Sequence, residues 1–134
     1  MIIDTMILAY AVMKESGFCE QSMEVLKRVD VIMAPASVET ELLSVIWQWG
    51  RKDGQYDLAT KAYMVASSLI NESIPVKNLW PIALKLAFSR NHSPYDTLFI
   101  AAARIHHTRL ITYDQKLLSL FPSDAMSAQT FFAQ

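Results

Sequence analysis

Short apolar runs in this chain stop at an acidic residue just where a helical pattern begins. Met1-Ile2-Ile3 stops at Asp4, and Val31-Ile32-Met33-Ala34 stands ahead of Glu41. Ser93-Pro94-Tyr95 opens onto Asp96, and Leu110-Ile111-Thr112-Tyr113 ends at Asp114. Apolar runs of this length suit buried strands, and strands alternating with helices select an α/β sandwich around a mainly parallel sheet. Parallel strands all end on one edge, and ligands bind at that edge in open α/β sheets. Carboxylates gathered there repel one another unless a divalent cation offsets their charge. The pattern therefore points to phosphate-ester chemistry.

The chain has 134 residues, which predicts one domain spanning 1–134. At 52% hydrophobic and 19% charged it has ample core material and is not of disordered composition. The formal net charge of −1 excludes the broad basic footprint of a protein that grips duplex nucleic acid without regard to sequence. It leaves room for a nuclease whose positive charge comes from a metal. Cys19 is the only cysteine, so no disulfide can form within the chain and no thiol pair can hold zinc. His92, His106 and His107 do not have a usual zinc spacing. Asp4 interrupts the apolar start, there is no basic leader, and Met6 to Met13 falls far short of the ~20 residues of a membrane span. A soluble, cytoplasmic protein is expected, with no membrane partner.

Residues 1–4 read as a buried strand, and 5–14 and 19–29 as helices around Ser16-Gly17. Val31 to Ala34 reads as a second strand closed by Pro35. Ser37 reads as the N-cap of a helix over Val38 to Lys52. Asp53-Gly54 marks a turn into a further helix, Tyr56 to Asn71, which completes a helical hairpin. Ile74-Pro75-Val76 fits only an edge strand or a strand start. Leu79 to Ser89 is a helix with Pro81 in its first turn, and Ser93 to His107 is the next. Arg109 to Thr112 is a strand, Asp114 to Leu120 a short helix, and Ala125 to Phe132 an added edge strand.

Each carboxylate also has a purely structural reading. Asp4 can cap the helix that follows it. Ser93-Pro94-Tyr95-Asp96 is a capping box with Pro at the first helical position. Asp114, or Thr112 before it, can start the last short helix. Glu41 and Glu39 flank the apolar stripe Val38, Leu42, Val45, Ile46 and Trp49 at similar angles, and periodicity does not choose between them. The functional reading rests on the set.

Taken together these segments resemble the PIN-domain family, and within it the small VapC-like ribonuclease toxins of toxin–antitoxin pairs. The resemblance spans nearly the whole chain. It rests on Met1-Ile2-Ile3-Asp4-Thr5, on Pro35-Ala36-Ser37-Val38-Glu39-Thr40-Glu41-Leu42, on Ser93-Pro94-Tyr95-Asp96-Thr97-Leu98-Phe99-Ile100-Ala101-Ala102-Ala103, and on Leu110-Ile111-Thr112-Tyr113-Asp114-Gln115-Lys116-Leu117. It implies a three-layer sandwich with strand order 3-2-1-4-5 and a magnesium- or manganese-dependent endoribonuclease. It places the family's acidic quartet, catalytic and metal-binding, on Asp4, Glu41, Asp96 and Asp114, and so selects Glu41 over Glu39. It places supporting hydroxyls on Thr5 and Thr112. Where the family often has Asn three residues after the Glu, this chain has Ser44. The resemblance further implies an RNA substrate, a small antitoxin partner and a homodimer.

Trp47, Trp49, Tyr56 and Tyr63 on the hairpin read as core or interface, with base stacking beside Arg51 and Lys52 as the alternative. The three histidines read as structural, His106 and His107 at the negative end of a helix dipole. Arg104 and Arg109 read either as phosphate contacts or as surface charges. Among rival functions, a P-loop is absent, and Met6 stands where an Asp-x-Asp phosphatase needs its second Asp. A PIN-fold RNA-processing nuclease without an antitoxin, or a non-catalytic RNA- or protein-binding module, remain as alternatives.

Overall fold

The computed structural model describes residues 1–14 and 16–134. Its centre is β1, Ile2–Ile3, two residues with no exposed surface. A strand covered on both faces carries apolar side chains at every position, which is what a parallel sheet between helical layers demands. On one side β1 pairs with β2, Met33–Pro35, which pairs with β3, Glu72–Ile74. On the other side it pairs with β4, Leu110–Ile111, which pairs with β5, Ala125–Met126. Every pairing is parallel, and the order is β3-β2-β1-β4-β5, the order expected from the resemblance. The chain leaves β1 in one direction, returns, and continues in the other. The switch point therefore lies between β1 and β4.

Parallel neighbours need crossovers, and helices supply them. Thr5–Val12 (α1), Cys19–Arg28 (α2), Val38–Gly50 (α3) and Tyr56–Ser68 (α4) precede β3. Trp80–Arg90 (α5) and Pro94–Ile105 (α6) lie between β3 and β4, Gln115–Leu120 (α7) between β4 and β5, and Ala128–Phe132 (α8) follows β5. Helix α1 packs on α2, α3 and α4, while α6 crosses β1, β2 and β4 with α5 against it. The result is the three-layer α/β sandwich. In α6, Thr97 through Ala103 are all buried. Ala101-Ala102-Ala103 let the helix backbone approach the sheet closely, and the Thr97 hydroxyl donates to the Ala83 carbonyl at 2.7 Å, tying α6 to α5.

Several boundaries differ from the sequence expectation. The second strand starts at Met33 and includes Pro35, whose lack of an N–H is harmless because Ala36 N–H bonds the Ile74 carbonyl instead. The third strand is Glu72–Ile74, and Pro75-Val76 leads into a short 3-10 turn over Val76–Asn78. The hairpin helices end at Gly50 and Ser68; Arg51–Asp53 forms a 3-10 turn and Gly54 closes it at φ 61°, a backbone state that suits Gly. Gly50 also sits where an added Cβ would lie 3.0 Å from the Ala59 Cβ, so α3 and α4 meet closely there. The tail is an edge strand only over Ala125–Met126. Ser127 then caps α8, its hydroxyl oxygen accepting the Thr130 N–H at 3.1 Å, and the local Ser-x-x-Thr cap overrides strand continuation.

Replacing Ala101 with Leu adds three carbons where α6 meets the sheet. It is expected to destabilise the fold by about 1–3 kcal/mol, read as a lower urea midpoint, while the exposed Leu84→Ala change on α5 should move it far less.

Candidate active site

The ends of β1 and β4 and the starts of α1, α3, α6 and α7 surround one cavity of about 780 Å³. Asp4, Thr5, Glu41, Asp96 and Asp114 line it, with Ser37, Thr40 and Ser44 on the α3 side. Met6, Tyr10, Val45, Tyr95 and Tyr113 complete the wall. Four carboxylates from four separate segments thus face one space. None of the described residues lining it is Lys, Arg or His.

Each carboxylate is held by a donor with no formal charge of its own, with His92 the one group whose charge depends on protonation. Asp4 Oδ1 accepts the Thr5 N–H at 2.8 Å, and its Oδ2 accepts the Thr112 hydroxyl. Thr112 is fully buried behind Asp4, and its oxygen in turn accepts the Asp114 N–H at 3.0 Å. The Thr5 hydroxyl donates to Glu41 Oε2 at 2.5 Å, joining the start of α1 to α3. Asp114 caps α7 through Oδ1, which accepts the Lys116 and Leu117 N–H groups at 2.9 and 3.0 Å. Asp96 Oδ2 lies 2.8 Å from His92 Nε2. Glu41 Oε1, Asp96 Oδ1 and Asp114 Oδ2 have no hydrogen-bond partner among the described residues.

Capping and cavity lining therefore coincide at Asp4 and Asp114, because a carboxylate has acceptor sites for both. They separate at Asp96. Ser93 makes its half of the capping box, accepting the Tyr95 N–H at 3.3 Å, but the Asp96 carboxylate turns to His92 instead of back to Ser93. At the head of α3 the expected cap bond is missing. Ser37 holds the N-cap position in helical backbone, makes no side-chain cap bond, and its Oγ is buried without a partner among the described residues.

The electrostatics follow from burial and crowding. Desolvation raises the Asp4 pKa from an ordinary 3.8 to about 6; the Thr112 and Thr5 bonds oppose the rise, and the like charges of Asp96 and Asp114 add to it. Glu41 is raised chiefly by desolvation, against the Thr5 bond and with the charges of Asp4 and Asp96. The donor set, carboxylate oxygens alone, suits magnesium or manganese. Among the described residues no three His, Cys, Asp or Glu side chains close into a ready cage for an ion. Magnesium retains several waters and needs few direct protein ligands, so the carboxylates fit it without such a cage.

Residues weighed for other roles sit elsewhere. Arg104 pairs with Asp124 through two bonds at 2.9 and 3.1 Å, and Arg109 donates to the Pro122 and Ala125 carbonyls at 2.9 and 2.7 Å. Both tie down the segment around β5; neither lines the cavity. His106 and His107 lie past the end of α6 and also stand outside it. Trp47 is exposed with the Arg51 guanidinium 4.7 Å over its ring, whereas Trp49 and Tyr63 pack on the core. His92 and the tyrosines of the wall were not singled out by sequence reasoning as site residues. A His four residues before an Asp was the available signal for the first.

The PIN domain pattern matches residues 1–120, and the chain belongs to the PIN domain family. No curated protein matches it in sequence. Among solved structures it is similar to a toxin–antitoxin complex from Klebsiella pneumoniae, with TM-score 0.70, 17% identity, and 95% of this chain and 96% of that one covered. It is similar to VapBC2 from Rickettsia felis bound to a DNA fragment from their promoter (0.66, 16%, 94% and 96%) and to FitAcB from Neisseria gonorrhoeae (0.70, 13%, 96% and 97%). At these identities the likeness is one of fold.

Because the folded Asp4 pKa lies above its unfolded value, the stability linked to its neutral form is present below about pH 3.8 and lost as pH rises through about 6. In chelator, Asp4→Asn should therefore stabilise relative to the native chain as pH increases, its advantage growing by roughly 2 kcal/mol between about pH 4.5 and 7.5. Denaturant titrations across that range check the sign.

Proposed function

We propose that this chain is a metal-dependent endoribonuclease, the toxin of a toxin–antitoxin pair, and that Asp4, Glu41, Asp96 and Asp114 hold a magnesium or manganese ion. The observation that carries the reading is the charge of the cavity: four carboxylates and, among the described residues, no basic side chain in its wall. A phosphodiester entering such a space is repelled by every charge it meets. A divalent cation, when bound, would supply the missing positive charge and Lewis-acid chemistry toward a phosphate ester. Asp4, which follows β1, and Asp96, on α6, would hold it, with Glu41 and Asp114 contributing directly or through water. Thr5 and Thr112 fix the carboxylates by one oxygen each, which is the supporting role that tunes metal sites elsewhere.

The wall supports a nucleic-acid substrate. Tyr10, Tyr95 and Tyr113 stand beside the acids, and the Tyr113 hydroxyl is fixed at 2.7 Å from the hydroxyl of buried Ser22. Phe18 stacks on Tyr10 at 5.2 Å, so that ring is held in place. Flat apolar rings next to a phosphate site accept an unpaired base, and RNA offers such bases in single-stranded regions.

Two apolar faces support protein partners. Leu43, Trp47, Tyr56, Met64 and Val65 are exposed on the α3–α4 hairpin, and Trp80, Leu84 and Phe88 form an exposed stripe along α5. A small antitoxin and a second copy of this chain are the occupants proposed for them, by analogy with the toxin–antitoxin neighbours. Among the described residues no helix is long and apolar enough to cross a membrane.

The test is incubation of the purified chain with single-stranded RNA, with magnesium and with chelator. Cleavage is expected only with the metal. Asp96→Asn should lower the rate by at least about a hundredfold, since it weakens the charge that holds the ion, while thermal unfolding shows an intact fold. Cleavage by Asp96→Asn at the native rate would sink the reading.

A further inference from the structure

We infer that His92 is a positioning residue of the same site: its imidazole holds Asp96 Oδ2 so that Oδ1 stays turned to the cavity and free to bind the cation. The inference rests on the proposed metal-dependent function and adds to it a residue outside the acidic quartet.

The local fold makes His92 a fixed donor, not a passing neighbour. Helix α5 ends at Asn91 in the left-handed region, φ 50°, a state Asn tolerates better than most residues. His92 N–H then bonds the Ala87 carbonyl at 3.1 Å, closing the helix end. Ser93 is the N-cap of α6 and Pro94 follows it with its fixed φ. His92 therefore lies outside both helices, at a corner whose backbone is set on each side. The Thr97–Ala83 bond locks α5 against α6 just beyond that corner. The His92 side chain is only 8% exposed, whereas that of Asp96 is 37% exposed. One partner is anchored in the interior and the other reaches the cavity wall.

A structural reading would have Asp96 complete the capping box, accepting the Ser93 N–H. It does not; its carboxylate bonds imidazole nitrogen at 2.8 Å. Capping of α6 is left to Ser93. The carboxylate has given up the local bond that would have drawn it back to its own helix, and His92 holds it in the alternative position. In this it matches Asp4 and Glu41, which are held through Thr112 and Thr5. His92 is the equivalent donor for the α6 side of the cavity. Donors of this kind change metal affinity by about ten- to a hundredfold when removed.

The experiment compares the full chain with His92→Leu and His92→Gln. Leu keeps an apolar filling of the corner and has no donor; Gln places an amide N–H near the position of Nε2. Manganese binding is measured by calorimetry without RNA, and the magnesium concentration for half-maximal cleavage of single-stranded RNA is measured alongside. His92→Leu should weaken manganese binding about tenfold or more and raise the activating magnesium concentration by a similar factor. His92→Gln should recover most of both. Native affinity in His92→Leu overturns the inference while leaving the nuclease reading standing, and so does a Gln variant as impaired as Leu. A native chain that neither binds manganese nor cuts RNA overturns the nuclease reading and this inference with it.

Discussion

The hydrogen bond from Thr112 to Asp4 spans the point where the sheet reverses its order, and the candidate site is built outward from it. Asp4 follows β1 and Thr112 follows β4, the two strands between which the crevice opens. Thr112 is buried, so its hydroxyl has no water to turn to, and its one proton goes to the carboxylate. The same oxygen accepts the Asp114 N–H, which places the start of α7 at the same crevice. One side chain of three heavy atoms beyond Cα thus sets the relation between two acids that are 110 residues apart in sequence. Thr5 extends the arrangement to α3 through Glu41, and His92 extends it to α6 through Asp96.

This arrangement costs stability. Burial and the neighbouring charges raise Asp4 to about 6, so at neutral pH the fold holds an ionised carboxylate at a cost the unfolded chain does not bear. Glu41 is raised for the same reasons. Groups shifted by burial and a specific charged neighbourhood inside a cleft concentrate at functional sites. The nearly balanced net charge of −1 hides this concentration: the cavity gathers four negative charges, while Arg104 and Arg109 are occupied around β5.

Much of this was legible in the sequence, for physical reasons that differ by residue. The sheet order followed from the resemblance, and the buried runs at Ile2-Ile3 and Leu110-Ile111 from their unbroken apolar character. Asp4 and Asp114 come together because the parallel strands β1 and β4 share an end, whereas Glu41 was chosen through the resemblance, and Asp96 reaches the cavity from the start of α6, which follows a helix and not a strand. The cap at Ser37 was misread because the motif records which residue can cap, not whether its backbone turns the hydroxyl toward the helix. The tail was misread beyond Met126 because a five-residue helix is too short to show periodicity against an apolar run. His92 looked inert because its value lies in a corner between two helices, and that corner depends on the left-handed turn at Asn91 and the packing of α5 on α6.

The identity of the anchoring groups carries a further consequence. Hydroxyls, backbone N–H groups and one imidazole orient the carboxylates; among the described residues no Lys or Arg does. A guanidinium at any of these positions would hold its carboxylate more firmly, since charge-assisted bonds are the stronger ones. It would also cancel a negative charge of the cavity. Hydroxyl and amide donors fix direction and leave the charge intact. They keep the crowded acids oriented and unneutralised, so the negative charge of the cavity depends on the choice of donors as much as on the acids themselves.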